Sequence, residues 1–151
     1  MEGYRIGSGR FSLFDGAGAA ASDSARWNSR GRRIIYAAEH YSTALLEKAA
    51  QLNSIRLPKG LLYIRVTIPS GVTVEEVRGQ DLPGWDAEDR RASQRFGDAW
   101  YDERRSLVLI VPSLAAPGLE RNILINQRHP QFRRLKPTQP QPIVCHPTLL
   151  V

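Results

Sequence analysis

The sequence has one cysteine, Cys145, and no uninterrupted apolar run longer than five residues. A single cysteine cannot close an internal disulfide, so packing rather than cross-linking must stabilise the fold. The apolar runs are far shorter than the ~20 residues that a membrane-spanning helix needs. The first residues also lack a basic region followed by an apolar stretch, which argues against a secretory signal and predicts a cytoplasmic protein without membrane attachment.

Several motifs of nucleotide and metal chemistry are missing as well. The chain has neither a phosphate loop ending in Gly-Lys-Ser/Thr nor a Gly-x-Gly-x-x-Gly motif, for which Gly16-Ala17-Gly18 is too short. His40, His129 and His146 lack metal-box spacing and cysteine partners, so we expect no metal. A nucleophile pair of Cys145 and His40 stays open, although a cysteine in a proline-rich tail is more often inert.

What is present is the composition of one globular domain, which we predict to span residues 1–151. The 151 residues are 42% hydrophobic and 24% charged, near globular averages. The net charge is +6, and 18 of the 21 cationic residues are arginine. Guanidinium groups grip phosphate oxygens through paired N–H donors, so a phosphorylated ligand is plausible.

Hydrophobic patterning predicts alternating strands and helices after a loop-like segment at residues 1–24. Apolar residues recur at helical spacing from Tyr41 to Leu52, with Ser42 or Thr43 as a cap, and a second helix is expected between Ala87 and Tyr101. The predicted strands are 34–38, 61–69, 72–77, 107–111 and 122–126, the second and third flanking a Pro-Ser-Gly turn.

The C-terminal part is proline-rich, with six of the ten prolines from Pro117 onward. Proline cannot donate to a helix or a central strand, so we expect a tail from about residue 137 that extends over the body. The order of elements favours an α+β domain with mixed, mainly antiparallel sheets and flanking helices over a doubly wound parallel sheet.

A set of segments, in order along the chain, resembles the RES domain family. The first is Ala-Arg-Trp-Asn-Ser-Arg-Gly at 25–31, followed by Ile-Tyr-Ala-Ala-Glu at 35–39 and Ala-Leu-Leu-Glu at 44–47. Later come Val-Pro-Ser at 111–113, Glu-Arg-Asn-Ile-Leu-Ile-Asn at 120–126 and His-Pro-x-Phe at 129–132. Each piece is weak alone, but the ordered set is specific.

The resemblance implies a fold similar to that of ADP-ribosyltransferases and a toxin of a bacterial type II toxin-antitoxin pair. Such a toxin consumes NAD as a substrate by breaking its nicotinamide-ribose bond, by hydrolysis or phosphorolysis. The implied partner is an Xre-like antitoxin with a helix-turn-helix, through which DNA is contacted only indirectly. A homodimer or a hetero-oligomer is consistent with this picture.

Within that resemblance, Glu47, Arg26 and Tyr36 are the expected catalytic residues. Arg26 would hold phosphate oxygens with parallel N–H donors. Tyr36 would offer its ring to nicotinamide and its hydroxyl to the ligand. Glu47 interrupts an apolar helix face, and a carboxylate there would stabilise positive charge on the ribose, as in glycoside cleavage. Further NAD-binding candidates are Arg32, Tyr41, Ser42, Ser113 and Asn122.

Two other functions remain open from the sequence. One is transfer of ADP-ribose to a protein target. The other is a non-catalytic domain that binds only an antitoxin, or binds nucleic acid through the basic residues Arg128, Arg133, Arg134 and Lys136.

Overall fold

The computed structural model describes residues 1–151 and contains one eight-stranded sheet with three α-helices. The strands are β1 (Glu2–Gly7), β2 (Ile34–Ala38), β3 (Leu62–Thr67), β4 (Val74–Glu76), β5 (Val108–Pro112), β6 (Arg121–Asn126), β7 (Lys136–Pro137) and β8 (Gln141–Pro142). The helices are α1 (Ala17–Ala20), α2 (Tyr41–Gln51) and α3 (Arg91–Asp102). None of the helices combines the length and apolar character that crossing a bilayer demands.

The strands run in the order β4-β5-β6-β2-β1-β3-β7, and β8 also pairs with β3. All pairs are antiparallel except β4 with β5. The expected α+β class with a mainly antiparallel sheet is therefore confirmed.

Strands β2, β5 and β6 form the most completely buried part of the sheet. Every residue of β5 is buried, and so are the last four residues of β6. Strands buried on both faces read as continuous apolar runs, which is why 107–111 and 34–38 were recognisable. Helix α3 packs on one face of this part through Trp100 and Tyr101, beside Trp27.

The sheet opens into a fork between β1 and β2. These neighbouring strands share only one residue pair, Tyr4 with Ala38. By contrast, β1 and β3 share six residue pairs, and β2 and β6 share five. Helix α2 covers β1 and β2 at this junction, with Ala44 packed against Ile6 and Ala38. The fork is where the principal cavity forms.

The C-terminal residues lie along one edge of the sheet. Strands β7 and β8 both add to the outer edge of β3. Proline lacks an N–H donor and is therefore tolerated at a sheet edge, where Pro137 and Pro142 lie.

Two local expectations were wrong. Residues 1–24 are more than loop with short anchored pieces, because β1 is a central strand whose partner on one side, β3, lies far along the chain. The turn at 69–71 separates β3 from β4 as expected, and β4 pairs in parallel with β5. Helix α2 begins at Tyr41 after His40, and no side chain caps it.

Candidate active site

A cavity of about 450 Å³ lies in the fork between β1 and β2. Residues of both strands, α1, the segment after it and α2 form its walls. The polar and aromatic side chains in the wall are Tyr4, Arg5, Ser22, Ser24, Arg26, Tyr36, Glu47, Lys48, Gln51 and Asn122. The structure therefore brings together four of the predicted residues, Arg26, Tyr36, Glu47 and Asn122.

All the hydrogen-bond donors to the Glu47 carboxylate bind the same oxygen, Oε1. Ser113 Oγ donates to Glu47 Oε1 over 2.6 Å, and Asn122 Nδ2 donates to it over 2.8 Å. The backbone N–H of Ala115 is a longer donor at 3.4 Å. Glu47 Oε2 takes part in no hydrogen bond or ion pair of the protein, so one oxygen is fixed and the other has no partner.

Ser113 and Asn122 come from neighbouring strands, which explains why they meet at Glu47. Ser113 directly follows β5, and Asn122 pairs with Val111 across β5 and β6. Ser113 is fully buried and is not part of the cavity wall, so its contact is with the glutamate. Asn122 lines the cavity, and its Oδ1 is buried without a hydrogen-bond partner.

Arg26 is fixed at one end of its guanidinium group. Its Nη1 donates to the carbonyl of Ala87 over 2.5 Å and to that of Trp85 over 3.3 Å. Its Nε is buried without a partner. Burial, followed by the nearby charge of Arg90, lowers the pKa of Arg26. A guanidinium with such a high ordinary pKa remains a cation at neutral pH.

The segment that carries Arg26 is attached to α3. Ser93 Oγ donates to the carbonyl of Arg26 over 2.6 Å, and Gln94 Nε2 donates to that of Ala25 over 2.8 Å. Gly97 allows the close approach, since a Cβ there would lie 1.8 Å from the Trp27 carbonyl oxygen. This attachment positions Arg26 at the cavity.

Tyr36 presents its ring to the cavity, but its hydroxyl is already used. The hydroxyl donates to Asn28 Oδ1 over 2.6 Å and accepts from the backbone N–H of Trp27 over 3.1 Å. Burial raises the pKa of Tyr36 well above its usual value, so the phenol is neutral. The aromatic face is thus available to a ligand, whereas the hydroxyl serves the segment that carries Arg26.

Arg32, Tyr41 and Ser42 lie outside the cavity wall. Arg32 pairs with Asp102 over 2.7 Å and also approaches Asp98. The Tyr41 hydroxyl donates to the carbonyl of Val144 and accepts from its N–H. Ser42 is exposed on the first turn of α2. These contacts tie neighbouring segments together and leave the three side chains away from the other candidates.

Two cavity cations were not among the sequence candidates, Arg5 on β1 and Lys48 on α2. Arg5 lies in the segment that was expected to be loop, so no register placed it near the others. Lys48 follows Glu47 directly on α2, and no motif in the sequence singled it out. In the sequence, features similar to the RES family begin at Tyr-Arg-Ile, residues 4–6, and this stretch is the signal that could have identified Arg5.

Cys145 and His40, which the sequence left open as a nucleophile pair, do not form one in the structure. His40 Nδ1 lies 2.7 Å from Glu120 Oε2, and Thr43 also donates to that carboxylate. Cys145 makes no hydrogen bond with His40. No cluster of three or more His, Cys, Asp or Glu residues is arranged to hold a metal ion.

The fold and cavity define an α+β protein in which a carboxylate and several cations surround one ligand-sized space. Its sequence places it more narrowly: the chain belongs to the RES domain family, whose model matches residues 2–146. The resemblance seen in the sequence is therefore confirmed.

Curated relatives support the same family. The chain is 39% identical over 125 residues to a protein of Sphingobium sp. named Prs ADP-ribosylating toxin, covering 80% of this chain and 76% of the relative. It is 31% identical over 115 residues to a protein named Toxin Res from Pseudomonas putida, covering 75% and 77%. A Toxin Res of Yersinia enterocolitica is 30% identical over 151 residues and covers 97% of both chains.

A solved structure shares the fold. A chain in the crystal structure of the M. tuberculosis MbcT-MbcA toxin-antitoxin complex superposes with a TM-score of 0.71. The match covers 95% of this chain and 84% of the other at 16% identity. At this identity the comparison supports the architecture alone.

Proposed function

We propose that this chain is the toxin of a bacterial type II toxin-antitoxin pair and consumes NAD by cleaving its nicotinamide-ribose bond. The observation that carries the proposal is the convergence of Glu47, Arg26 and Tyr36 on one cavity. The names of the curated relatives point in the same direction. We further propose that the whole chain, 1–151, acts as one RES-like unit.

Glu47 supplies the electrostatic part of the reaction. As the glycosidic bond breaks, its electron pair goes to the nicotinamide nitrogen, and positive charge develops on the ribose. The free Oε2 of Glu47 stabilises that charge, while Ser113 and Asn122 hold Oε1 in place before substrate arrives. Preorganised groups of this kind are commonly worth about 3 to 4 kcal/mol of barrier.

The other wall binds and orients the dinucleotide. Arg26 offers its remaining guanidinium donors to a phosphate oxygen. The ring of Tyr36 packs against nicotinamide, which leaves as a neutral base. Asn122 lines the same cavity and holds Glu47 Oε1 through its Nδ2. Phosphate, or water that releases its proton to the solvent, then forms the new bond to the anomeric carbon that nicotinamide has left.

Transfer of ADP-ribose to a protein is the second candidate. It is favoured by one observation, the name of the Sphingobium relative, an ADP-ribosylating toxin. Both reactions break the same bond and use the same carboxylate. They differ only in the acceptor, which is water or phosphate in one case and a protein side chain in the other.

The proposed partner is an Xre-like antitoxin with a helix-turn-helix, acting in the cytoplasm. A chain with the same fold is part of the MbcT-MbcA toxin-antitoxin complex, and this supports a protein partner. The net charge of +6 suits an acidic antitoxin surface through faster association. DNA would be reached only through that partner. Co-purification with the product of a neighbouring helix-turn-helix gene tests this part.

Nicotinamide release by the purified chain tests the chemistry. The parent should release one nicotinamide for each NAD consumed, whereas Glu47→Gln should lose activity by about 100- to 1,000-fold. Glu103→Gln, at the exposed end of α3, is the matched control and should retain activity. A folded Glu47→Gln variant that consumes NAD at the parent rate would show that the assignment is wrong.

Label in the adenylate part of NAD separates the two candidates. With lysate present, protein transfer leaves label on a protein band, while hydrolysis or phosphorolysis leaves it on a small molecule. A parent protein that neither releases nicotinamide nor labels any band would favour the non-catalytic alternative.

A further inference from the structure

The positive charge of the chain is concentrated in its last part. Residues 122–151 include four cationic residues and no aspartate or glutamate, so this stretch carries +4 of the net charge of +6. The four cations lie within nine residues and are Arg128, Arg133, Arg134 and Lys136. The rest of the chain is therefore close to neutral.

The fold turns these four side chains outward. The segment that carries them follows β6 and consists of a short 3-10 turn, Pro130–Arg134, and strand β7. Phe132 stacks on Phe14 with ring centroids 5.0 Å apart, and Leu135 is buried in the core. The apolar residues thus anchor the segment from inside, while the four cationic side chains are exposed. We call these four side chains the basic face.

Contacts within the protein hold the basic face in place. His129 Nδ1 caps the turn by accepting a hydrogen bond from the backbone N–H of Gln131. Gln131 Oε1 accepts from the backbone N–H of Thr73 over 2.9 Å and from its hydroxyl over 2.8 Å. Arg134 Nη2 donates to the carbonyl of Ser70 over 3.2 Å. The segment is therefore attached to the turn before β4 and is ordered without a partner.

The basic face has no acidic counterpart in the protein. The ion pairs of the protein all use other cations. The side chains of Arg128, Arg133 and Lys136 also make no hydrogen bond. Burial, followed by the charge of Arg104, lowers the pKa of His129, so the exposed Arg104 adds a further cation beside this segment. Like charges gathered on one surface attract anions and repel one another until an anion binds.

The surroundings of the basic face favour a polyanion over a protein partner. Protein interfaces depend on a few large side chains, often aromatic, that become buried on binding. The segment exposes no large hydrophobic residue, because Phe132 and Leu135 pack inward. It offers instead three guanidinium groups and one ammonium, which bind phosphate oxygens. A nucleic acid presents such oxygens at regular intervals along its backbone.

The basic face lies away from the candidate active site. Asn122, near the start of β6, lines the cavity, whereas Arg128 lies beyond Asn126, the last residue of that strand. The four residue steps from Asn122 to Asn126 span roughly 13 Å. None of the four cations lines the cavity. A polymer on the basic face therefore leaves Glu47 accessible.

We propose that the basic face is a second binding site, which takes the phosphodiester backbone of a nucleic acid and acts independently of NAD cleavage. Its cations lie on a short turn and an edge strand, not on a helix that could enter a groove, so the contacts are to phosphates and carry no sequence information. Recognition of a DNA sequence stays with the proposed antitoxin. RNA and DNA share this backbone chemistry, and the experiment distinguishes the two sources.

Fluorescence anisotropy with the purified chain tests the site on two probes of equal length, a mixed-sequence DNA duplex and a single-stranded RNA. The parent should bind at least one of them with a Kd of about 1 to 100 μM. Raising the salt concentration from about 50 to about 200 mM should weaken duplex binding about 100-fold, as expected for four phosphate contacts. The probe that binds more tightly identifies the source.

A double variant tests whether the basic face is responsible. Arg128→Gln with Arg133→Gln removes two charges whose side chains have no partner in the protein, so the fold should persist. Binding should weaken about 10- to 100-fold, and the salt dependence should fall by about two phosphate contacts. The matched control, Lys59→Gln with Arg95→Gln, removes the same charge at exposed positions elsewhere and should bind like the parent. Nicotinamide release should be the same in all three proteins.

Three results would overturn the site. The first is a parent that binds neither probe at low salt. The second is equal weakening in the two double variants, which would assign binding to net charge alone. The third is tighter binding of oligoglutamate than of a nucleic acid of equal charge, which would assign the face to an acidic protein segment. None of these readouts depends on whether the chain cleaves NAD, so a failure of that reaction leaves the basic face testable.

Discussion

The two walls of the cavity differ in how far they are complete without a ligand. On one wall, Glu47 Oε1 is held by Ser113 and Asn122, so the carboxylate is fixed in the free protein. On the other wall, Arg5 has no partner and Arg26 is held only at Nη1. The acidic wall is preorganised, and the basic wall keeps N–H donors that no protein group satisfies.

This difference follows from the chemistry that each wall is proposed to perform. Charge that develops only in the transition state is best stabilised by groups that need no rearrangement. Phosphate groups carry the same charge before and after the reaction. N–H donors that bind them therefore contribute to substrate binding rather than to the stabilisation of the transition state. Changes on the acidic wall should therefore lower kcat, and changes on the basic wall should mainly alter substrate binding or stability.

Breaking the attachment of the Arg26 segment to α3 should have the largest effect. In Gly97→Ala the new Cβ would lie 1.8 Å from the Trp27 carbonyl oxygen, so backbone must move. We expect a loss of about 3 kcal/mol or more in the free energy of unfolding. Denaturant unfolding measures it, with Gly18→Ala as the control because no atom lies within 4 Å of a Cβ there. Parent-like stability of Gly97→Ala would contradict the close packing.

Removing the Tyr36 hydroxyl should separate stability from ligand binding. Tyr36→Phe leaves Asn28 Oδ1 and the Trp27 N–H without their partner, and such losses cost about 1 to 3 kcal/mol. The ring is kept, so KM for NAD should change little at a temperature where the variant is folded. Thermal unfolding and steady-state kinetics check the two parts. A large rise in KM with unchanged stability would instead place the hydroxyl on the ligand.

Loosening the carboxylate should lower turnover without affecting binding. Ser113→Ala removes the 2.6 Å donor to Glu47 Oε1 while Asn122 remains. We expect kcat to fall about tenfold with KM unchanged, the effect of losing roughly 1.4 kcal/mol of stabilisation. Ser42→Ala, an exposed serine on the same helix as Glu47, should leave both constants unchanged. If Ser113→Ala raised KM alone, Ser113 would contact the ligand rather than position Glu47.

The smallest effect concerns a histidine outside both walls. Burial, followed by the charge of Arg104, lowers the pKa of His129 in the folded protein. The unfolded chain therefore binds more protons below about pH 6.5, and stability should decrease as pH falls through that range. In His129→Asn, unfolding free energy should depend less on pH between about 5 and 7. An unchanged pH dependence would show that His129 does not contribute.

The buried half of the sheet was predictable because its strands are continuous apolar runs. Residues 34–38, 107–111 and 122–126 match β2, β5 and β6 within one residue at each end. The segment of β1 carries glycine, tyrosine and arginine and has no such run. It becomes a strand through pairing with β3, a contact that local sequence does not reveal.

The site was predictable where a local motif carried it. Glu47, Arg26 and Tyr36 belong to the segments that resemble the family, and they line one cavity. Arg32 was expected as a second phosphate contact, and Tyr41 and Ser42 were expected because free N–H groups at the start of a helix can bind phosphate. Neither reason determines the direction of a side chain, and all three lie outside the cavity wall. Arg5 was missed for the converse reason, since only the fork between β1 and β2 brings it to the cavity.

The most direct test is a crystal structure of Glu47→Gln with NAD, a variant that keeps the side-chain volume but should not turn over. We predict the dinucleotide in the cavity of the fork, with its glycosidic bond at residue 47, nicotinamide on Tyr36 and phosphate oxygens on the cations of the other wall. Density for NAD at a different surface, or a dinucleotide whose glycosidic bond faces away from residue 47, would contradict the account.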